Sequence, residues 1–275
     1  MKQFAVIGNP IKHSKSPIMH NAAFKHLNID AEYSKLKVTV EELQEFTDKA
    51  REELAGFNIT VPHKYEIIPY LDEITELAKV SGSVNTVINR DGKLIGDTTD
   101  GYGLATGIKE AFNIEIKDEV ITFIGAGGAV KAAATYFASL NAKKIFIINR
   151  TIQKAESIKN NIIDNFSTEV EVTDLNNISK IEEFIGTSKV LIQGTSLGLS
   201  ESDPTPIPLE VINKDIAIYD SIYKETPILK YAKENGNMYA DGRSMLLYQG
   251  AKAFSIWTGC DAPVDVMRDA LYSTF

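Results

Sequence analysis

The run Gly125-Ala126-Gly127-Gly128-Ala129 follows an apolar stretch, Val120 to Ile124, and opens a segment of helical composition. Glycines in that context allow a tight strand-to-helix turn. They also let backbone N–H groups and the positive helix N-terminus approach a pyrophosphate. The third glycine of the general dinucleotide fingerprint would fall at Val130, which leaves small Ala129, Ala132 and Ala133 to serve the packing. A turn glycine-rich for geometry alone is the competing reading. Roughly 20 residues beyond such a turn, a carboxylate would hydrogen-bond a ribose 2′-hydroxyl and select NAD. Asn149-Arg150-Thr151 stands there instead. The guanidinium of Arg150 can pair with a 2′-phosphate and Thr151 can donate a hydroxyl, so NADP(H) is the expected cofactor. Lys154 either adds charge to that site or is a solvated helix lysine.

Four polar clusters occupy the first hundred residues, each with a structural and a chemical reading. In Ser14-Lys15-Ser16-Pro17, Ser16 stands where a helix N-cap would stand. Asn58-Ile59-Thr60-Val61-Pro62-His63-Lys64 reads as a strand end with an exposed lysine, or as the edge of a site. Asn85 in Ser83-Val84-Asn85-Thr86 serves a turn or a ligand. Asp100 in Asp97-Thr98-Thr99-Asp100-Gly101 caps the following helix or carries chemistry. Sites on α/β frameworks form at such element ends, and spacing alone does not join the four.

The elements that must position these residues follow from periodicity. Strands are expected at Phe4 to Ile7, Tyr33 to Val38 and Leu54 to Ile59, and a hairpin joins Thr86 to Asn89 and Lys93 to Ile95. Helices are expected at Pro17 to Leu27, Glu41 to Arg51 and Asp72 to Val80. From Glu119 strands and helices alternate cleanly: strands at Val120 to Ile124, Lys144 to Asn149, Val170 to Val172, Val190 to Ile192 and Ile216 to Tyr219, helices at Gly128 to Leu140 and Thr151 to Ile163. That alternation predicts a parallel doubly wound sheet. Helices at Pro227 to Glu234, Met245 to Trp257 and Val264 to Tyr272 follow, the last two expected to pack back on the first domain.

Bulk properties narrow the classes. At 275 residues two domains are expected, and the composition is globular, with 44% hydrophobic and 24% charged residues. A net charge of −8 argues against nucleic acid as a partner. The single cysteine, Cys260, excludes an intrachain disulfide and fits a reducing cytoplasm. Met1 to Gly8 is too short an apolar run for a signal peptide, and no stretch approaches the ~20 apolar residues of a membrane span. His13, His20, His26 and His63 lack carboxylate companions at ligand spacing, so no metal is expected, and His13 and His63 read as neighbours of the clusters.

In order, spacing and wording the four clusters resemble the shikimate dehydrogenase family, and the resemblance runs over essentially residues 1–275. It implies an α/β substrate domain at 1–102, completed by 241–275, and a Rossmann-type NADP domain at 103–240. It implies that Ser14 and Ser16 hold the substrate carboxylate, and that Thr60, Lys64, Asn85 and Asp100 bind the ring hydroxyls and the reacting oxygen. Gln249, in Asp241-Gly242-Arg243-Ser244-Met245-Leu246-Leu247-Tyr248-Gln249, and Tyr223 match further substrate contacts. Ser221 and Gly242 match positions near the nicotinamide. Gln193-Gly194-Thr195-Ser196 departs from the usual asparagine-alanine-threonine, with Thr195 carried over as a cofactor contact, and Ser244 replaces a common glycine. The implied reaction is reduction of 3-dehydroshikimate by NADPH to shikimate, on the way to chorismate and the aromatic amino acids. Lys64 and Asp100 are its catalytic pair, and this small molecule is the expected partner, with no nucleic acid and no membrane. The rival readings are a quinate/shikimate dehydrogenase of broader specificity, a catalytically silent NADPH-binding regulator, and a folate-linked methylene dehydrogenase.

Overall fold

A computed structural model describes residues 1–200 and 202–275. The chain forms two compact units: residues 1–103 with 246–275, and residues 104–245.

The first unit runs β1 (Lys2–Gly8), α1 (Ser16–His26), β2 (Ala31–Lys37), α2 (Leu43–Glu53), β3 (Gly56–Ile59), β4 (Glu73–Ile74), α3 (Glu76–Ser81), β5 (Thr86–Arg90) and β6 (Lys93–Asp97). α4 (Asp100–Phe112) then leads out of it. Its mixed sheet has the order β2-β1-β3-β5-β6-β4. Along β1 the side chains alternate between two cores: Phe4 and Val6 pack on one face, Ala5 and Ile7 on the other. The expected hairpin is present, with Arg90 paired to Lys93 across Asp91 (φ 52°) and Gly92 (φ 87°), a two-residue turn that needs positive φ at both positions. The helix expected from Asp72 begins only at Glu76. Glu73 and Ile74 pair with β6 instead, and the Thr75 hydroxyl accepts from the Ala78 N–H as the N-cap.

The second unit runs β7 (Val120–Ile124), α5 (Gly128–Ser139), β8 (Lys144–Ile148), α6 (Ile152–Ile163), β9 (Glu169–Thr173), α7 (Ile178–Thr187), β10 (Val190–Gln193), β11 (Ala217–Asp220), α8 (Pro227–Asn235) and β12 (Tyr239–Ala240). Its sheet is parallel throughout, in the order β9-β8-β7-β10-β11-β12. Strands buried on both faces read as unbroken apolar runs, and here they divide by parity: Ile145 and Ile147 of β8 enter one core, Phe146 and Ile148 the other. α7 fills a stretch that the sequence reading leaves unassigned, although Ile181, Phe184 and Ile185 sit on one buried stripe and Asn177 caps it.

α9 (Arg243–Thr258) and α10 (Val264–Tyr272) close the chain. Leu247, Ala251, Phe254, Met267 and Leu271 pack with Met19, Ala23 and Phe24 of α1 in the first unit, as expected of the terminal helices.

Candidate functional site

In the first unit three of the four polar clusters contribute to one buried network. Lys64 Nζ donates to Asp100 Oδ2 at 2.5 Å, with their side chains 16% and 6% exposed. The other carboxylate oxygen, Oδ1, accepts from Asn85 Nδ2 at 2.9 Å. The orientation of that amide is fixed from behind, because Asn85 Oδ1 accepts the Thr99 backbone N–H at 2.8 Å, a donor that cannot turn. Gln249 Oε1 lies 3.3 Å from the same Nδ2, and Gln249 Nε2 donates to Leu246 O at 2.9 Å. Asn85 is therefore buried scaffolding for a carboxylate and not a turn residue. Asp100 is the first residue of α4, its carboxylate committed to Lys64 and Asn85.

The sheet brings these groups together. Lys64 follows the end of β3, and its carbonyl accepts the Val84 N–H at 2.9 Å, which sets Asn85 beside it. The Asn85 N–H in turn binds Asp97 O at the end of β6, two residues before Thr99. Thr60 is partly buried at the end of β3, its N–H bound to Ile7 O at 2.9 Å.

Ser16 departs from its expected N-cap role. Lys15 occupies the cap position with no side-chain cap bond, and Ser16 is the first residue of α1, 7% exposed. Its Oγ lies 3.4 Å from Ser14 Oγ, so the two hydroxyls form a pair. His63 is buried with Nε2 2.7 Å from Val38 O, and His13 is exposed.

In the second unit Gly125 and Thr195 follow β7 and β10, neighbouring strands whose connections diverge to opposite sides of the sheet. Ligands bind α/β sheets outside the strand carboxyl ends at such a switch point. A cleft of about 200 Å³ opens there, lined by Gly125, Asn149, Arg150 and Thr195 together with Leu175 and Pro206. Ala126, Gly127, Gly128, Ala129, Thr151, Lys154, Ser221 and Gly242 are not among its lining residues. Of these, the glycine turn leads from Gly125 into α5, and Thr151 and Lys154 begin α6.

Several features fit a phosphorylated dinucleotide. Gly125 has φ +111°, open in practice only to glycine. A Cβ on Gly127, the N-cap of α5, would meet nothing within 4 Å, and neither α5 nor α6 carries a side-chain cap or an acidic residue in its first turn. The positive helix ends are thus uncompensated by the protein. Asn149 Nδ2 donates to Thr151 O at 2.7 Å and fixes the turn that carries the exposed Arg150.

Both departures from the family wording have local partners. Gln193, fully buried, accepts the Thr195 N–H on Oε1 at 2.6 Å and donates to Leu197 O at 2.9 Å, so the longer amide folds the loop that carries Thr195. Ser244 Oγ lies 2.8 Å from Tyr219 Oη, in space left by Gly107, where a Cβ would come within 2.7 Å of the serine oxygen. Gly242 is packed on Ser221, whose carbonyl would lie 2.1 Å from any Cβ there. Tyr223 is 47% exposed.

Gly194 and Val130 explain each other. A Cβ at Gly194 would lie 2.3 Å from Val130 Cγ2, and Val130, 2% exposed on stiff χ1, has nowhere to go. The close helix–sheet approach that a third fingerprint glycine normally permits is achieved here with the small residue on the facing strand end. Gly194→Ala is expected to cost about 1–3 kcal/mol in urea unfolding, and Val130→Ala in the same chain to recover most of it; additive losses would contradict the coupling.

Asp220, at the end of β11 and fully buried, is pushed up to about 6 by burial, against hydrogen bonds from Thr226 Oγ1 at 2.6 Å and the Ile222 N–H at 2.9 Å. Between about pH 4 and 6 the folded chain holds a proton that the unfolded chain has released, so stability from this group falls as pH rises through that window. Asp220→Asn is expected to stabilise the protein by on the order of 3 kcal/mol at pH 8 and hardly at all at pH 3. An equal change at both pH values in urea melts would refute it.

Comparison with known proteins gives a consistent set of relatives. Residues 6–87 match the shikimate dehydrogenase substrate binding domain, residues 107–198 the shikimate / quinate 5-dehydrogenase family, and residues 242–272 the shikimate 5'-dehydrogenase C-terminal domain. The chain is 40% identical over 279 residues to the shikimate dehydrogenase (NADP(+)) of Nitrosopumilus maritimus, covering 100% of this chain and 99% of that one. Among solved structures it resembles the shikimate 5-dehydrogenase of Listeria monocytogenes in complex with shikimate and NAD (TM-score 0.93, 33% identity, 98% and 96% of the chains). The enzyme of Thermus thermophilus in complex with NADP(H) and shikimate gives a TM-score of 0.88 at 30% identity, over 100% of both chains.

Proposed function

This chain belongs to the shikimate dehydrogenase family, and we propose that it catalyses the reversible, NADP-dependent reduction of 3-dehydroshikimate to shikimate, a step toward chorismate and the aromatic amino acids. The observation that carries this reading is the buried Lys64–Asp100 pair, with Asn85 on the second carboxylate oxygen. An ammonium has three donors. One is spent on Asp100, leaving the others for a ketone oxygen and for delivery of the proton that reduction requires. Bound NADPH supplies the hydride. Asp100 holds the ammonium in place and keeps acceptor capacity for a neighbouring ring hydroxyl. The hydroxyl pair of Ser14 and Ser16 takes the substrate carboxylate, and Thr60 and Gln249 complete this unit's contacts to the ring.

The unit of residues 1–103 with 246–275 is the substrate-binding domain in this reading, and residues 104–245 hold the cofactor. Gly125 to Ala129 receive the pyrophosphate; Asn149, Arg150, Thr151 and Lys154 the 2′-phosphate end; and Thr195, Ser221 and Gly242 the nicotinamide end. No helix among the described residues is long and apolar enough to cross a membrane, and none of them form a group of three or more His, Cys, Asp or Glu that could hold a metal ion. A cytoplasmic place and the absence of a nucleic-acid partner fit the lone cysteine and the net charge of −8.

The test is absorbance at 340 nm with shikimate or quinate, each offered with NADP or NAD. Signal with shikimate and NADP supports the reading, equal signal with quinate moves it to the broader enzyme, and silence in protein that binds NADPH moves it to the regulator. Lys64→Ala is expected to lower kcat by about 10²–10⁴ with KM for shikimate little changed, and near-normal turnover would reject Lys64 as the proton donor. Arg150→Ala is expected to raise KM for NADP roughly 10- to 100-fold while leaving NAD unaffected, as loss of charged hydrogen bonds worth about 1.5–3 kcal/mol requires. An unchanged ratio of the two cofactors would count against Arg150 as the selector.

A further inference from the structure

Tyr33 belongs to none of the polar clusters, yet its hydroxyl is buried among them. The residue is 2% exposed on β2, its backbone clasped by Asn21 of α1: Asn21 Oδ1 accepts the Tyr33 N–H at 2.8 Å, and Asn21 Nδ2 donates to Tyr33 O at 2.9 Å. The ring stacks on His20, also on α1, at 4.4 Å and 9°. Burial pushes the imidazole down to about 3, so the stack is neutral at any working pH. Backbone and ring are thus both held, and the hydroxyl has one direction left.

It points between the two ends of the proposed substrate site. The phenol donates to Asn58 Oδ1 at 2.7 Å; burial pushes the phenol up, and the Ser16 side chain works against that rise. Asn58, 5% exposed, then donates through Nδ2 to Asn85 O and to Thr86 Oγ1, each at 3.0 Å. Thr86 Oγ1 lies 3.1 Å from Asn85 Oδ1 and 3.3 Å from Thr99 Oγ1. The chain of contacts therefore runs from Tyr33 through Asn58 to Asn85, Asp100 and Lys64, with the buried polar groups paired in sequence.

We infer that Tyr33 is a positioning residue for the reaction, its hydroxyl holding the Asn85–Asp100–Lys64 group in register through Asn58. An Asn58 amide without its phenol donor keeps a buried oxygen unpaired, which loosens its hold on Asn85 O and Thr86 Oγ1. The reacting end of the substrate is then held less well, while the cofactor domain is untouched. The inference rests on the shikimate dehydrogenase reading.

Tyr33→Phe keeps the stacked ring and removes only the oxygen. Expected for shikimate are a several-fold rise in KM and a several-fold fall in kcat, together at least tenfold in kcat/KM, with KM for NADP unchanged. Unchanged kinetics for shikimate overturn the inference, as does a lower melting temperature with wild-type kinetics, the signature of a merely structural tyrosine. Because the effect on kcat passes through Asn58, adding Tyr33→Phe to Asn58→Ser should cost little further kcat. Additive losses overturn the inference. Should Tyr33→Phe fail to fold, Asn58→Ser alone carries the test: a several-fold lower kcat at unchanged KM for NADP supports the inference, and an unchanged kcat overturns it. Wild-type protein silent with shikimate and NADP would remove the functional reading and the inference together. An active wild type matched by its variants removes the inference alone.

Discussion

The ion pair between Lys64 and Asp100 sets the terms for the first unit. Two charges withdrawn from water cost several kcal/mol each unless their remaining donors and acceptors are matched, and breaking such a pair costs about 3–5 kcal/mol. Four elements that are far apart in sequence converge to meet that demand. The end of β3 delivers Lys64, the start of α4 delivers Asp100, the segment before β5 delivers Asn85, and α9 delivers Gln249. The cost of assembling them is met by the two apolar cores on either face of the mixed sheet, which also make the arrangement stiff. A group held in this way needs no reorganisation when charge develops on a substrate oxygen.

The second unit solves a different problem, the approach of a polyanion to a protein of net negative charge. Its positive potential comes from backbone rather than side chains: two helix ends without acidic first turns, and a glycine turn at the sheet's switch point. A single guanidinium, Arg150, then suffices to add preference, since the backbone already favours an anion.

Much of this is legible without coordinates. Period-two and period-3.6 patterns locate the strands and helices of the Rossmann half, because parallel strands buried on both faces leave long apolar runs. Two elements escape for opposite reasons. The helix at Ile178–Thr187 carries an adequate apolar stripe and an asparagine cap, so its signal is local and simply goes unread. The late start of α3 is not local at all, since it depends on Glu73 and Ile74 finding β6. The site divides similarly. Glycines and Arg150 announce themselves by context, whereas Tyr33 reads as an ordinary strand tyrosine until the pairing of β1 with both β2 and β3 brings it to Asn58, 25 positions further on. Pro17 draws Ser16 to the cap position on paper, but α1 begins one residue earlier than a serine cap requires.

The contact between Gly194 and Val130 also bears on ancestry. Steric exclusion is symmetric, so either side of a tight contact can supply the missing methyl, and a fingerprint written for one side is blind to the other. Symmetry in space does not extend to history. A chain that begins with alanine opposite a small residue reaches the present pair at least cost by giving up the alanine methyl before acquiring the valine, because the reverse order passes through the clash. A single interatomic distance thus favours one order of two substitutions over the other, and relatives that carry one change without the other should more often hold the glycine than the valine alone.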